Sequence, residues 1–364
     1  MNQKLPATAS RPRGRAALAA WIMPLAGLAL VAAAVWWFVF RENVAERGIR
    51  LLGEARAAME VRDFVTAEAR LRAAIKSAPQ NAMLHHNLGI LYVQQSRLPE
   101  ARAAFERAAA ACGPEANEVR AEEYFQLATI SYQEKKSAQA AGELEQAIAA
   151  HPSRLQLHTR LLDLQLGRLA DSTAAAATTE RFLRDCGRTP RHLADAAYVH
   201  YQHAHYTTAA ALAREAVAQQ DSFPEGHAIL ARSLWKQGRV ADGRRGLSGP
   251  LERYPRAPEL WVAKSLLDLE LGLRREALAA AERAVQLAPR DFEARQARQK
   301  ALAGNGQLQE ALAEVEATRR FTENPGQLQM LQRQETLLRA LLRQTGGTGV
   351  LGGSATADSA AAAP

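Results

Sequence analysis

Cysteine is almost missing from this chain. Cys112 and Cys186 are the only two, and they form no C-x-x-C pair, which excludes a disulfide framework and a structural zinc site. Aromatic residues are 6% of the sequence and β-branched residues are sparse, leaving Ala, Leu, Arg, Glu and Gln dominant. That mixture favours helix nearly everywhere, because straight-chain side chains lose little rotamer freedom in a helix and Ala loses none. Excess charge is small as well. The net +8 falls about half within the first fifteen residues, at Lys4, Arg11, Arg13 and Arg15, and the remainder mixes both signs closely. Such mixing describes solvated helix faces, not a nucleic-acid groove. Catalytic signatures are absent too: no nucleophile elbow, paired-acid motif or metalloprotease helix occurs. The glycines at 346, 347, 349, 352 and 353 follow no strand and precede no helix, so they are no phosphate loop. The chain is therefore expected to be no enzyme and to hold no cofactor or metal, with a metal-binding or enzymatic protein as the remote alternative.

What is present begins with an uncharged run, Ala16 to Phe40, bracketed by Arg15 and Arg41. As a helix it would rise roughly 37 Å, enough to cross a hydrocarbon core of about 30 Å, and Trp36 and Trp37 suit the headgroup boundary. A cleaved secretory signal with Ala32-Ala33-Ala34 as its small-residue site is the competing reading. Against it, the apolar run continues through Phe40, past the usual length of such a signal. Residues 16–40 are thus expected to be a transmembrane signal anchor, preceded by a basic tail at 1–15. Lys4, Arg11, Arg13 and Arg15 on one side face Arg41, Arg47, Arg50 and Arg56 on the other. The denser, unopposed N-terminal set places the N-terminus in the cytoplasm and the bulk outside, at the inner membrane with the repeats periplasmic.

Internal periodicity decides the fold. Ala67 to Ala101 spans 34 residues, and so do the steps from Ala209 to Gly243, Ala277 and Ala311. Ala101 to Ala140 spans 39, which implies a five-residue insertion near Glu115–Val119. Ala140 to Ala209 spans 69, two periods plus one. Repeats then begin near Gly48, Ala82, Ala121, Leu155, Pro190, Pro224, Pro258 and Phe292, eight in all. Small residues recur at repeat positions 8, 20 and 27: Gly89, Ala101 and Ala108; Ala128, Ala140 and Ala147; Ala197, Ala209 and Ala216; Ser265, Ala277 and Ala284. Trp261 at position 4, Leu88, Tyr92 and Phe105 at large apolar positions, and Pro289 at position 32 complete the pattern.

This pattern resembles the tetratricopeptide repeat (TPR) family over roughly residues 48–325. The resemblance implies an all-α fold: a right-handed α-solenoid of about eight TPR-like helix pairs, preceded by one transmembrane helix. Small residues let the paired helices approach, and Pro79, Pro152, Pro255 and Pro289 stop the second helix of their pairs. The fourth repeat lacks small residues at positions 8 and 27. The sixth places Pro250 inside its second helix, with Gly243, Gly246 and Gly249 around it, and is expected to be kinked or shortened there. Arg298 and Gln299 at positions 7 and 8 of the eighth suggest that packing ends near them. Residues 326–344, with Leu328, Leu331, Leu338 and Leu341 on one face, read as a capping helix, and 345–364 as a disordered tail.

Candidate chemistry resolves mostly into packing. His200 and His203 share a helix face at a spacing some metal pairs use, but His200 falls at a packing position and no third ligand is evident. His85 and His86 are adjacent and point apart. The TPR resemblance places a concave groove at positions 2, 5, 9, 12 and 13 of each first helix. That gives Phe125, Thr129 and Tyr132 in the third repeat, Arg191, Tyr198 and Tyr201 in the fifth, and Arg232, Trp235 and Lys236 in the sixth. Aromatics with arginine are residues that anchor protein interfaces. The family's carboxylate clamp, Lys at position 5 with Asn at position 9 of one repeat, is not present. The expected function is a non-enzymatic, membrane-tethered protein-interaction scaffold that assists assembly of an envelope complex of the cytochrome-biogenesis, exopolysaccharide-export or pilus kind. It would take a peptide or helix of another protein in its groove, with no nucleic acid and no small-molecule substrate as partner. The alternative is a cytoplasm-facing regulatory adaptor. Members of that kind carry paired C-x-x-C motifs, which this chain lacks.

Overall fold

The computed structural model describes residues 35–37 and 47–344. The basic tail at 1–15, nearly all of the apolar run at 16–40 and the segment 345–364 lie outside the described residues. Among the described residues every regular element is a helix, and no helix is long and apolar enough to cross a membrane. The chain divides into two compact units, one through His151 and the other from Pro152 onward.

The first unit holds three helical hairpins. They are α1 (47–60) with α2 (Phe64–Ser77), α3 (Ala82–Gln94) with α4 (Leu98–Ala111), and α5 (Asn117–Gln133) with α6 (Ser137–Ala150). The inserted residues near Glu115–Val119 do not form a long loop. Part of them becomes an extra turn at the start of α5, which reaches 17 residues where α3 has 13. In its core, Phe105 and Leu71 are fully buried among Ala67, Ala101 and Leu91.

The second unit holds α7 (Leu155–Leu164), a five-residue π turn (Gln165–Leu169) and α8 (Ser172–Asp185). Next come α9 (Pro190–Gln202) with α10 (Tyr206–Gln219), and α11 (Pro224–Lys236) with α12 (Val240–Arg253). The last pairs are α13 (Pro258–Glu270) with α14 (Arg274–Leu287) and α15 (Phe292–Gly304) with α16 (Leu308–Arg319). Finally α17 (Pro325–Gln344) packs on α16 through Leu331, Leu338 and Leu342. The one surplus residue between Ala140 and Ala209 is placed by this geometry. From helix start to left-handed turn residue, α7 with its π turn uses one residue more than α9. A single insertion within an α-helix is what a π turn accommodates. From Ser172 onward the second helices restart every 34 residues, at Tyr206, Val240, Arg274 and Leu308.

Two local devices recur. Each hairpin turns through one residue with positive φ: Arg62, Ser96, Lys135, Ala170 and Ala204 in the first five, then Gly238, Gly272 and Gly306. The Arg97 amide reaches back to the Tyr92 carbonyl at 2.9 Å, and Leu273 reaches Asp268 likewise at 2.8 Å, the six-to-one bond of a Schellman cap. At the π turn that bond lengthens by one residue, from Asp171 to Gln165. The second device lies between hairpins, where Pro79, Pro152, Pro255 and Pro289 stand two residues past the ends of α2, α6, α12 and α14. Their carbonyls accept from a side chain six residues on. The donors are His85 Nε2 at 2.8 Å, His158 Nε2 at 2.7 Å, Trp261 Nε1 at 3.0 Å and Arg295 Nε at 2.5 Å. Since a carbonyl only accepts, both histidines carry their proton on Nε2.

The glycine turns carry a measurable expectation. An added methyl at Gly272 would meet nothing within 4 Å, so only its φ of +74° resists substitution. Gly272→Ala should cost about 1 kcal/mol from the left-handed backbone, and Lys135→Gly should recover a similar or smaller amount. Chemical denaturation of the two variants checks the opposite signs, and equal shifts would refute the argument.

Pro250 neither ends nor shortens α12, which keeps the 14 residues of α10 and α14. The proline ring presses on the side chain before it and on the carbonyl four residues back. The residue just before Pro250 is Gly249, which has no Cβ to resist the ring. Nor does packing end at the eighth hairpin. Gln299 is buried, and Arg298 and Arg295 both pair with the buried Glu314, at 2.9 and 2.7 Å.

Candidate functional site

The histidines are structural. His200 is buried, with Nε2 2.9 Å from the Thr179 hydroxyl, whereas His203 Nε2 turns to Asp163 at 2.8 Å. They serve different partners and do not converge. Burial, with His205 and His203 adding to it, pushes the His200 pKa down to about 4. His86 holds the buried Glu123 at 2.9 Å; that hydrogen bond raises the His86 pKa, while burial raises that of Glu123. Both cysteines are free thiols. Cys112 Sγ donates to the Ala108 carbonyl at 3.3 Å, Cys186 Sγ lies 3.8 Å from that of Pro152, and burial raises both pKa values.

In the first unit, Phe125, Thr129 and Tyr132 sit along α5. Phe125 is half-buried, Tyr132 is exposed, and the Thr129 hydroxyl donates back to the Phe125 carbonyl at 2.9 Å.

The second unit gathers the other six residues onto α9 and α11, where the arginine and tyrosine side chains interlock. Arg232 lies over the Tyr201 ring at 4.8 Å and donates to Glu293 of α15 at 2.7 Å. Tyr198 donates to the other oxygen of Glu293 at 3.3 Å. Burial opposes the Arg232 charge, but Glu293 and Tyr201 offset it, so its pKa is raised and it stays a cation. Arg191 pairs with Asp195 at 3.2 Å and with Glu225 at 3.8 Å. Lys236 folds over the Trp235 ring at 4.1 Å. Arg191, Tyr198 and Arg232 line a cleft of about 300 Å³, walled by Ala194, Phe223, Ala228 and Ile229. Trp235, Lys236 and Tyr201 are not in its lining. Lys300 on α15 is an exposed residue whose neighbourhood, with Arg232 and Lys236 adding to it, lowers its pKa.

Residues 52–117 and 194–258 match the sequence profile of a family described as Tetratricopeptide repeat. Over those two stretches this chain carries tetratricopeptide repeats. Solved structures similar to it include a tetratricopeptide repeat protein from Parabacteroides merdae, at 14% identity and a TM-score of 0.43, over 71% of this chain and 99% of that one. Another is the C-terminal part of a TPR repeat-containing protein from Cytophaga hutchinsonii, at 12% identity and 0.45, over 67% and 97%. A thermophilic TPR protein of Thermus thermophilus gives 21% and 0.43, over 51% and 99%. No curated protein matches.

The TPR framework explains how the cleft residues meet. Arg191, Glu225, Glu259 and Glu293 stand 34 residues apart, at the same place on α9, α11, α13 and α15. Weight placed on aromatics and arginine in the sequence passes over the three glutamates. Their regular 34-residue spacing is the signal that marks them.

Proposed function

We propose that the chain is a non-catalytic interaction scaffold, tethered to the inner membrane by residues 16–40, whose repeats hold a segment of a partner protein while an envelope complex is assembled. The observation that carries the interaction reading is Arg232, which lies over the Tyr201 ring, pairs with Glu293 and lines a cleft together with Tyr198. Such groups bury large area while losing few rotamers, and their truncation typically costs about 2 kcal/mol or more. The membrane reading is supported by the uncharged sequence from Ala16 to Phe40.

Tyr201→Ala combined with Trp235→Ala should weaken partner capture more than tenfold with helicity unchanged. Cross-linking in membranes followed by mass spectrometry gives the readout, and recovery of the same partners at wild-type yield would remove the groove from the reading. The near balance of Lys and Arg around the apolar run keeps the cytoplasm-facing adaptor in play. A topology reporter fused after Pro364 separates the two: activity outside supports the envelope scaffold, and activity inside supports the adaptor.

A further inference from the structure

We infer that the cleft between α9, α11 and α13 receives a basic side chain of the partner segment, its aliphatic stem against the apolar wall and its charge on Glu259. The inference rests on the groove reading above and names the chemistry of its occupant.

Charge balance points to it. The cleft is lined by four acids, Asp195, Glu225, Glu259 and Glu293, and two cations, Arg191 and Arg232. Arg191 is committed to Asp195 and Glu225, and Arg232 to Glu293. Glu259 is left over. It is half-buried and forms no ion pair among the described residues. Burial raises its pKa; a hydrogen bond from its own backbone amide opposes this, and the charges of Glu225 and Asp291 add to the rise. A carboxylate held in such a place costs free energy until a cation joins it.

Shape agrees with charge. Phe223, Ile229 and Ala228 form an apolar wall within a volume of about 300 Å³. Lysine and arginine both carry a long methylene stem that favours such a wall, with the charge at its far end. An acidic segment would meet the reverse arrangement, because both cations of the cleft are already paired. The chain as a whole is +8, so a basic peptide has no general attraction to it. Binding of one therefore reports a local site.

The test uses the full chain in zwitterionic detergent and two labelled, end-blocked decapeptides, one alternating Ala with Lys and the other Ala with Glu. Fluorescence anisotropy at low salt should show the lysine peptide binding at least tenfold more tightly than the glutamate peptide. Glu259→Gln should cut lysine-peptide affinity at least tenfold, and Glu282→Gln, an exposed change on α14, should not. Thermal melting of Glu259→Gln should stay level or rise, since an uncompensated charge is removed. Preference for the glutamate peptide, or unchanged lysine-peptide affinity in Glu259→Gln, overturns the inference. Partner capture lost in the Tyr201/Trp235 double variant but intact in Glu259→Gln would sink this inference alone and leave the groove reading standing.

Discussion

Adding a single methyl at Gly89 should destabilise the first unit by about 1–3 kcal/mol, although alanine is the better helix former. Helix propensity alone would favour the change by about 1 kcal/mol. Packing outweighs it because a Cβ at Gly89 would lie 2.6 to 2.8 Å from three atoms of the Phe105 ring. That ring is fully buried and is also met edge-on by His86 at 5.7 Å, so it has nowhere to retreat. Removing it by Phe105→Ala should cost about 3–5 kcal/mol through the cavity left behind. The two substitutions should couple. With the ring gone, Gly89→Ala loses its clash, recovers its propensity gain and turns neutral or stabilising. The favourable coupling should be at least about 1 kcal/mol in a double-mutant cycle. Additive costs in urea denaturation would mean that helices α3 and α4 are not held apart by this contact.

Acid should unfold the second unit well before its carboxylates are exhausted. An unfolded histidine titrates near pH 6.5, whereas burial holds folded His200 at about 4. Between those values the unfolded chain takes up a proton that the folded chain refuses, so stability falls as pH falls. The loss should reach about 3 kcal/mol by pH 4, because each pH unit between the two values is worth about 1.4 kcal/mol. Its side chain is 3% exposed, with Nε2 on Thr179 and Nδ1 without a partner, so water offers little relief. His227, lowered by burial, adds in the same direction. His86, raised by its bond to Glu123, works oppositely in the first unit. His200→Leu should flatten the pH dependence of the urea midpoint between pH 7 and 4.5, with the Thr179 hydroxyl still donating to the Ala175 carbonyl at 2.8 Å. An unchanged slope would place the acid sensitivity elsewhere.

Much of the fold could be read from the sequence because its causes are local and periodic. Gly89, Ala101 and Ala108 recur where helices approach, and proline follows the ends of α2, α6, α12 and α14. Other features needed coordinates. The surplus residue between Ala140 and Ala209 was countable, but its place was not, since Ala170 and the π turn leave no compositional mark. Pro250 misled because its effect depends on the residue just before it, and Gly249 has no Cβ to resist the ring. At the site, the sequence put Arg232 and Tyr201 on neighbouring helices, yet the Glu293 that Arg232 also pairs with is 61 residues away from Arg232 in the chain. Glu259 escaped notice for a different reason. What marks it is the lack of a counter-ion, and a missing neighbour has no signature in sequence.

The π turn has a consequence for how this array tolerates change. An unabsorbed extra residue would rotate every later side chain of its helix by about 100° and swing the apolar stripe out of the core. Instead, Leu161 and Leu162 before the turn and Leu166 within it are all buried, and Ala175 beyond it is fully enclosed. The turn works as an expansion joint: the surplus is taken up within one helix, and the phase of every following hairpin, including those that carry the cleft, is left untouched.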